Sequence, residues 1–392
     1  MYRFFFFLYV AVTALTWALA LPFLWITSKL KSKHKESLPA RFWLKNNKPF
    51  LPDGIWVHVC SFGEAKSIAP LINKIPSDLL RLSATTKTGF DEISKYTTQS
   101  RYLPFEPLLL RWVKPQKMLI VMEAELWYLL FAVARKKGAK TLLVNARMSE
   151  KSYSKYLRFK WLYRRIFEQI DAVYAQTDED AARLITLGAK NIEVMGNIKF
   201  ASITKSTKQL PKPEGIFVCA ASTHDKEEAL ILDAFRALKS KRPEAKICVA
   251  PRHPERFDKV ERIMESFAKI QGWSYHRWSQ RADFQSDLVL FDTLGGLVNV
   301  YAISDVVVLG GAFEPIGGHN AAEAAQFGCK IISGKNYFNQ KEIFAGIEGI
   351  NIVQNDELKE TLSYPNLLPN SSLVASANIK PILKQIKDVL QN

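Results

Sequence analysis

A largely apolar run extends from Phe4 to Ile26, FFFFLYVAVTALTWALALPFLWI, before short β-rich runs begin to alternate with helical patterns. The first run carries no charge and has about the length a helix needs to cross a hydrocarbon core at ~1.5 Å per residue. Arg3 precedes it, and Lys29, Lys31, Lys33 and Lys35 follow closely. The positive-inside bias therefore predicts an uncleaved, single-pass anchor with the rest of the chain in the cytoplasm, Trp17 and Trp25 serving as interface anchors. Ala18-Leu19-Ala20 looks like a signal-peptide cleavage site, but the apolar run continues past it and the lysines lie on the wrong side.

After a basic linker at 29–52, Ile55–Ser61 reads as a strand, followed by a helix from Glu64 toward Ile75. Met118–Met122 reads as a strand and Leu126–Lys137 as a helix, with further strands at Thr141–Asn145, Ala172–Gln176 and Ile192–Met195. The stretch from Phe200 to Gly215 is polar, holds two prolines and has no period, so it reads as a linker. Beyond it, strands are expected at Ile216–Ala221, Lys246–Ala250, Leu288–Phe291, Val306–Gly310, Lys330–Ser333 and Ile350–Val353. A final helix from about Ser376 to Leu390 can pack on either half. The pattern predicts an α/β chain: an anchor at 1–28, the basic linker at 29–52, a Rossmann-like domain at 53–203, a linker at 204–214 and a second Rossmann-like domain at 215–392. A ligand is then expected in a cleft between two parallel sheets.

At 392 residues, 48% hydrophobic and 23% charged, the chain is neither disordered nor fibrous. Lys+Arg 54 against Asp+Glu 38 gives a net charge of +16, which implies an anionic partner: nucleic acid, an acidic lipid surface or a phosphorylated substrate. Cys60, Cys219, Cys248 and Cys329 are scattered without a CxxC pair, so reduced thiols are expected rather than a disulfide framework or zinc site.

Candidate chemistry clusters where strands should end. Glu64, in Ser61-Phe62-Gly63-Glu64, can take a proton from a hydroxyl, or can simply be a first-turn acid complementing a helix dipole. Glu123 and Glu125 follow the strand Met118–Met122, at the ligand edge of an open sheet. Lys199, in Gly196-Asn197-Ile198-Lys199, can reach an anion. Pro251 and Arg252 follow Lys246–Ala250, and an arginine there can fork onto a phosphate or carboxylate. Gly310-Gly311 closes another strand. Gly317-Gly318-His319-Asn320 then opens a helix on which Asn320 and Glu323 lie one turn apart, suited to a nucleotide, or to an ordinary capping box. Thr177-Asp178-Glu179-Asp180 is better explained by helix capping than by a metal, and the histidines show no ligand spacing. Lys151 to Phe167 (KSYSKYLRFKWLYRRIF) interleaves six basic residues with aromatics and has no acid, which suits an anionic membrane surface or a partly buried helix.

Taken together these segments resemble the Kdo transferases, which add 3-deoxy-D-manno-octulosonic acid (Kdo) to lipid A precursors in Gram-negative bacteria. The motifs are SFGE at 61–64, YLP at 102–104, EAELW at 123–127, NARMS at 145–149, GNIKF at 196–200, STH at 222–224, PRHPERF at 251–257 and GGHNAAEAA at 317–325. The resemblance implies a GT-B glycosyltransferase that uses CMP-Kdo and inverts the anomeric centre; because that donor carries one phosphate rather than a pyrophosphate, Arg252 and the glycine-framed helix terminus are expected to stabilise the leaving group without a metal or other cofactor. It implies Glu64 as general base, Glu123 and Lys199 as transition-state stabilisers, and Pro251, Arg252, Asn320 and Glu323 as CMP ligands. The family's M-G-E loop appears here as Leu294-Gly295-Gly296, so the carboxylate is missing at Gly296 and only backbone groups can serve CMP there. Tyr128 also replaces the proline that commonly follows ELW. The acceptor is expected to be a lipid A precursor of the lipid IVA type, with anionic lipids of the cell inner membrane as further partners. Another GT-B transferase or an epimerase is the nearest alternative. A membrane-tethered nucleic-acid binder is a distant one, since no RNP, zinc-finger or helix-turn-helix pattern supports it.

Overall fold

The computed structural model describes residues 2–30, 34–201 and 203–391. Lys31 and Lys33 of the expected lysine cluster lie outside the described residues. The chain divides into two units, 1–202 with 376–392, and 203–375.

The first unit is built on a seven-stranded parallel sheet. Its spatial order is Ser100–Tyr102, Leu80–Ala84, Ile55–Val59, Met118–Met122, Lys140–Ala146, Ala172–Ala175, Ile192–Val194. Ile55–Val59 and Met118–Met122 are buried at every position, which is why neither shows a polar-apolar alternation; the one polar residue, His58, is buried with its Nδ1 2.9 Å from the Ser83 hydroxyl. Connections wind away in opposite directions from these two neighbours, so the sheet has its topological switch point between them. The expected helix from Glu64 toward Ile75 is two shorter helices, Phe62–Ser67 and Ala69–Ile72, because Pro70 cannot continue the hydrogen-bonded ladder.

The apolar helix runs from Tyr2 to Leu30 and is part of this unit. Phe5, Phe6, Tyr9, Val10, Thr13, Trp17, Leu21 and Leu24 are half-buried at helical spacing, whereas Phe4, Phe7, Leu8, Val12, Leu15, Leu19, Phe23 and Ile26 are exposed. Tyr9 donates its hydroxyl to Glu106 at 2.7 Å, and Trp17 Nε1 donates to the Phe42 carbonyl at 3.1 Å. Phe5 meets Tyr128 edge-on at 5.0 Å. One face of the helix is thus tied to its unit while the other presents apolar side chains outward.

The second unit repeats the plan with seven parallel strands. Their order is Tyr275–Arg277, Leu288–Leu290, Lys246–Pro251, Phe217–Thr223, Val306–Leu309, Lys330–Gly334, Ile350–Val353. Its switch point falls between Phe217–Thr223 and Val306–Leu309. The expected second domain at 215–392 closes earlier, at Ala375. The final helix, Lys380–Gln391, belongs to the first unit, where Ile382 and Ile386 are buried with Ile55, Val57 and Ile120. The chain enters that helix through a bridge between Gly196 and Ala377 and an Asn378 N–H to Met195 carbonyl bond of 2.7 Å. At the other boundary, Ile203 already belongs to the second unit. The stretch at 204–214 is irregular but tethered: buried Asn299 accepts from the Ser206 hydroxyl and the N–H groups of Thr207 and Lys208 at 2.8–3.1 Å.

Candidate active site

The turns that follow the two central strands carry the chemistry of the first unit. Ser61 caps the helix Phe62–Ser67 by accepting from the Glu64 N–H, and its hydroxyl donates to Glu64 Oε1 at 3.0 Å. The Cys60 N–H donates to Glu64 Oε2 at 2.7 Å. This arrangement has the logic of a capping box, but the carboxylate it fixes also lines a cavity of about 570 Å³. The capping and catalytic readings of Glu64 therefore describe one geometry. Burial pushes Glu64 up to about 7; the Cys60 and Ser61 bonds oppose this, and the negative charges of Glu123 and Glu125 add to it. The neighbouring Cys60 thiol is driven up to about 12 by burial and by Glu125 and Glu64, so it is held as the thiol.

Glu123 ends the adjacent strand in a left-handed backbone conformation, φ 55°, unusual for a glutamate. Its N–H remains bonded to the Val144 carbonyl at 2.9 Å, and its carboxylate accepts from Arg147 Nε at 2.8 Å. Glu64, Glu123, Glu125, Arg147, Tyr156 and Arg183 all line the same cavity. Lys199, in the short turn Ile198–Phe200, is half-buried but is not among the residues lining either cavity described here.

In the second unit a cavity of about 320 Å³ opens at the switch point. Pro251, Arg252, Leu294, Gly295, Asn320 and Glu323 line it, with Ser222 and His319. Gly296 is not a lining residue; it adopts φ 77° and caps the helix Leu297–Tyr301. Arg252 is exposed, and among the described residues its guanidinium makes no ion pair, so its fork is open to a ligand. Asn320 Oδ1 accepts from the Ala322 N–H at 3.0 Å, as an N-terminal cap would. Glu323 does not complete a capping box. Its carboxylate instead accepts from the Thr204 hydroxyl at 3.1 Å, and burial raises its affinity for a proton. Glu227, almost wholly buried, ties the two loops of the switch point together by accepting from the N–H groups of His224, Gly311, Phe313 and Glu314 at 2.8–3.3 Å.

The sequence reading passed over Arg147 and His319 as site residues. Both stand inside motifs it quoted, and Arg147 follows a strand end as Glu123 does, which was the available signal. Asp180 is occupied in capping: its carboxylate accepts from the Met148 N–H at 2.7 Å, and its own N–H bonds Thr177. Among the described residues no cluster of three or more His, Cys, Asp or Glu is arranged to hold a metal ion.

Residues 31–202 match the family model described as 3-deoxy-D-manno-octulosonic-acid transferase (kdotransferase). The 3-deoxy-D-manno-octulosonic acid transferase of Haemophilus influenzae is 31% identical over 369 residues, spanning 88% of this chain and 84% of the relative. The enzyme of the same name from Bordetella pertussis is 33% identical, spanning 78% of this chain and 77% of the relative. The solved C-terminal CMP-Kdo binding domain of WaaA from Acinetobacter baumannii is 28% identical, covering 45% of this chain and 90% of that one; its TM-score of 0.34 leaves the fold to rest on the sheet orders above. Matched to two curated relatives above 30% identity over more than three quarters of their length, the chain belongs to the Kdo transferase family and is a glycosyltransferase.

Proposed function

We propose that this transferase moves Kdo from CMP-Kdo onto a lipid A precursor of the lipid IVA type, with inversion, in lipopolysaccharide core biosynthesis. The observation that carries this reading is the placement of Glu64. It is a carboxylate held by two hydrogen bonds at a strand-to-helix turn, opening into a cavity, with its proton affinity raised to near neutrality.

A sugar hydroxyl is a weak nucleophile, so it must lose its proton as the new bond forms. In the proposed step the acceptor oxygen bonds to the anomeric carbon of Kdo and passes its proton to Glu64. The bond from that carbon to the phosphate oxygen breaks, and its electron pair leaves with CMP. Glu123 stabilises the positive charge that develops on the sugar, and Lys199 offsets negative charge on the reacting groups. In the second unit Arg252 forks onto the single phosphate, with Pro251 stiffening its loop. Leu294 and Gly295 offer backbone groups, Gly296 holds the turn that presents them, and Asn320 and Glu323 bind the nucleoside. With one phosphate rather than a pyrophosphate to neutralise, this set works without a metal.

The helix Tyr2–Leu30 is long and apolar enough to cross a membrane. It anchors the enzyme to the inner membrane with both units on the cytoplasmic side, where CMP-activated sugars are made. The helices Glu150–Arg158 and Lys160–Phe167 expose Leu157, Phe159 and Trp161 among their basic residues, and Trp161 touches Phe5 of the apolar helix at 6.0 Å. That combination suits the anionic leaflet and the anionic acceptor within it.

The test is incubation with CMP-Kdo and a tetraacylated lipid A precursor in the presence of EDTA, with mass spectrometry of the lipid. A mass increase by Kdo supports the reading. No transfer, together with tighter binding of UMP than of CMP, would mark a different nucleotide-sugar enzyme.

A further inference from the structure

His224 follows the strand Phe217–Thr223, and His319 lies in the loop beyond its neighbour Val306–Leu309, so the switch point of the second sheet brings the two imidazoles together. Their Nε2 atoms are 2.8 Å apart. The ring planes are inclined by only 13° and the centroids lie 5.1 Å apart, close to the N···N distance plus a ring radius at either end. The rings therefore meet nose to nose, and one proton must sit between them: one Nε2 donates and the other accepts. Such a pair can take a second proton on an outer nitrogen and keep its bond as a singly charged unit.

The surroundings hold this pair neutral in the ligand-free protein. Burial, each other's charge, Arg252 and His253 press His319 down to about 4, and burial with His253 and Arg256 lowers His224. The nearby carboxylates are engaged elsewhere. Glu228 is forked by Arg256, Glu227 is bonded to backbone N–H groups, Asp225 pairs with Lys259, and Glu323 takes the Thr204 hydroxyl. His253 stands edge-on to His224 at 5.3 Å. Gly311 is what lets His319 approach, because a Cβ there would lie 2.8 Å from His319 Cδ2.

We propose that the His224–His319 pair takes up one proton when the phosphate of a cytidine nucleotide enters the cavity beside Arg252, so that CMP leaves against a cationic imidazole pair. This rests on the reading of that cavity as the nucleotide site. Burial is the main cause that keeps both imidazoles neutral, but Arg252 also lowers both and lines the cavity, so an arriving phosphate offsets its charge and adds a negative charge of its own beside His319. During transfer the phosphate goes from one negative charge to two, so the interaction strengthens as the bond breaks, which is the requirement for lowering a barrier.

The experiment is calorimetry of CMP binding to the full-length, detergent-solubilised enzyme at pH 7.5, in two buffers of different ionisation heat, with cytidine as the phosphate-free probe. The expected result is uptake approaching one proton per CMP and none with cytidine. Both H224Q and H319Q should bind CMP without the uptake. CMP affinity in the wild type should weaken with rising pH by up to about tenfold per unit. CMP binding without proton uptake in the wild type, or uptake unchanged in both variants, overturns the pair. Failure of both CMP and cytidine to bind overturns the nucleotide-site reading instead, so the two failures are told apart. The two-buffer measurement on the wild type needs no variant to fold.

Discussion

Replacing Glu64 by Gln tests the catalytic proposal and its structural cost in one protein. The amide can still accept from the Cys60 N–H and can donate to the Ser61 hydroxyl, so the helix cap survives while the base is lost. General-base catalysis is worth roughly 10²–10⁴-fold, or about 3–5 kcal/mol in the barrier at ~1.4 kcal/mol per factor of ten. Wild-type kcat should therefore rise with pH through about 7, as Glu64 ionises, and the Glu64→Gln rate should be lower by that factor and lack this limb. Stability should move the opposite way. Folding raises the Glu64 pKa from 4.5 to about 7, so its contribution is full below pH 4.5 and is lost as pH rises to 7. At ~1.36 kcal/mol per pH unit, ionised Glu64 costs the folded state up to about 3 kcal/mol at pH 8. Thermal melts should show the variant matching wild type near pH 4.5 and exceeding it by a few degrees at pH 8. Steady-state assays from pH 5.5 to 9 supply the kinetic half. A Glu64→Gln enzyme that keeps most of its kcat, or retains the limb near pH 7, would refute the assignment.

Arg252→Ala and Glu323→Ala should each weaken CMP binding by on the order of 1.5–3 kcal/mol, the loss of a charge-assisted hydrogen bond, measured by calorimetry on folded protein. Gly196→Ala should destabilise the first unit by more than about 2 kcal/mol, because φ is 82° and the new Cβ would fall 1.8 Å from the Ser376 carbonyl oxygen; faster hydrogen exchange in 380–391 would report release of the final helix. Lys155→Glu combined with Arg158→Glu should raise the acceptor's KM and leave CMP affinity unchanged; no change in KM or in vesicle binding would make that helix ordinary scaffold. In intact spheroplasts, external protease should leave both units uncut, and cleavage would reverse the proposed orientation.

Local chemistry determined much of this protein from the sequence. Short runs dominated by apolar and β-branched residues marked the central strands, because a strand buried on both faces has no solvent-facing side to impose alternation. The acids, arginine and glycines just beyond those runs marked the ligand edge, since a parallel sheet delivers successive strand ends to one side. Leu80–Ala84 and Ser100–Tyr102 went unread because Arg81 and Arg101 break the apolar pattern; their guanidiniums bond backbone carbonyls, a pairing no periodicity announces. Tertiary structure alone decided three further matters. The final helix joins the first unit because Ile382 and Ile386 fill that unit's core, a choice between two apolar surfaces that the helix's own amphipathic pattern does not make. Glu64 is lifted toward neutrality by burial and by Glu123, which lies 59 positions away in the chain and reaches the same cavity only through strand pairing. His224 and His319 likewise meet because their strands are neighbours in the sheet, and a hydrogen bond between residues 95 positions apart is fixed by sheet order, not by any spacing along the chain.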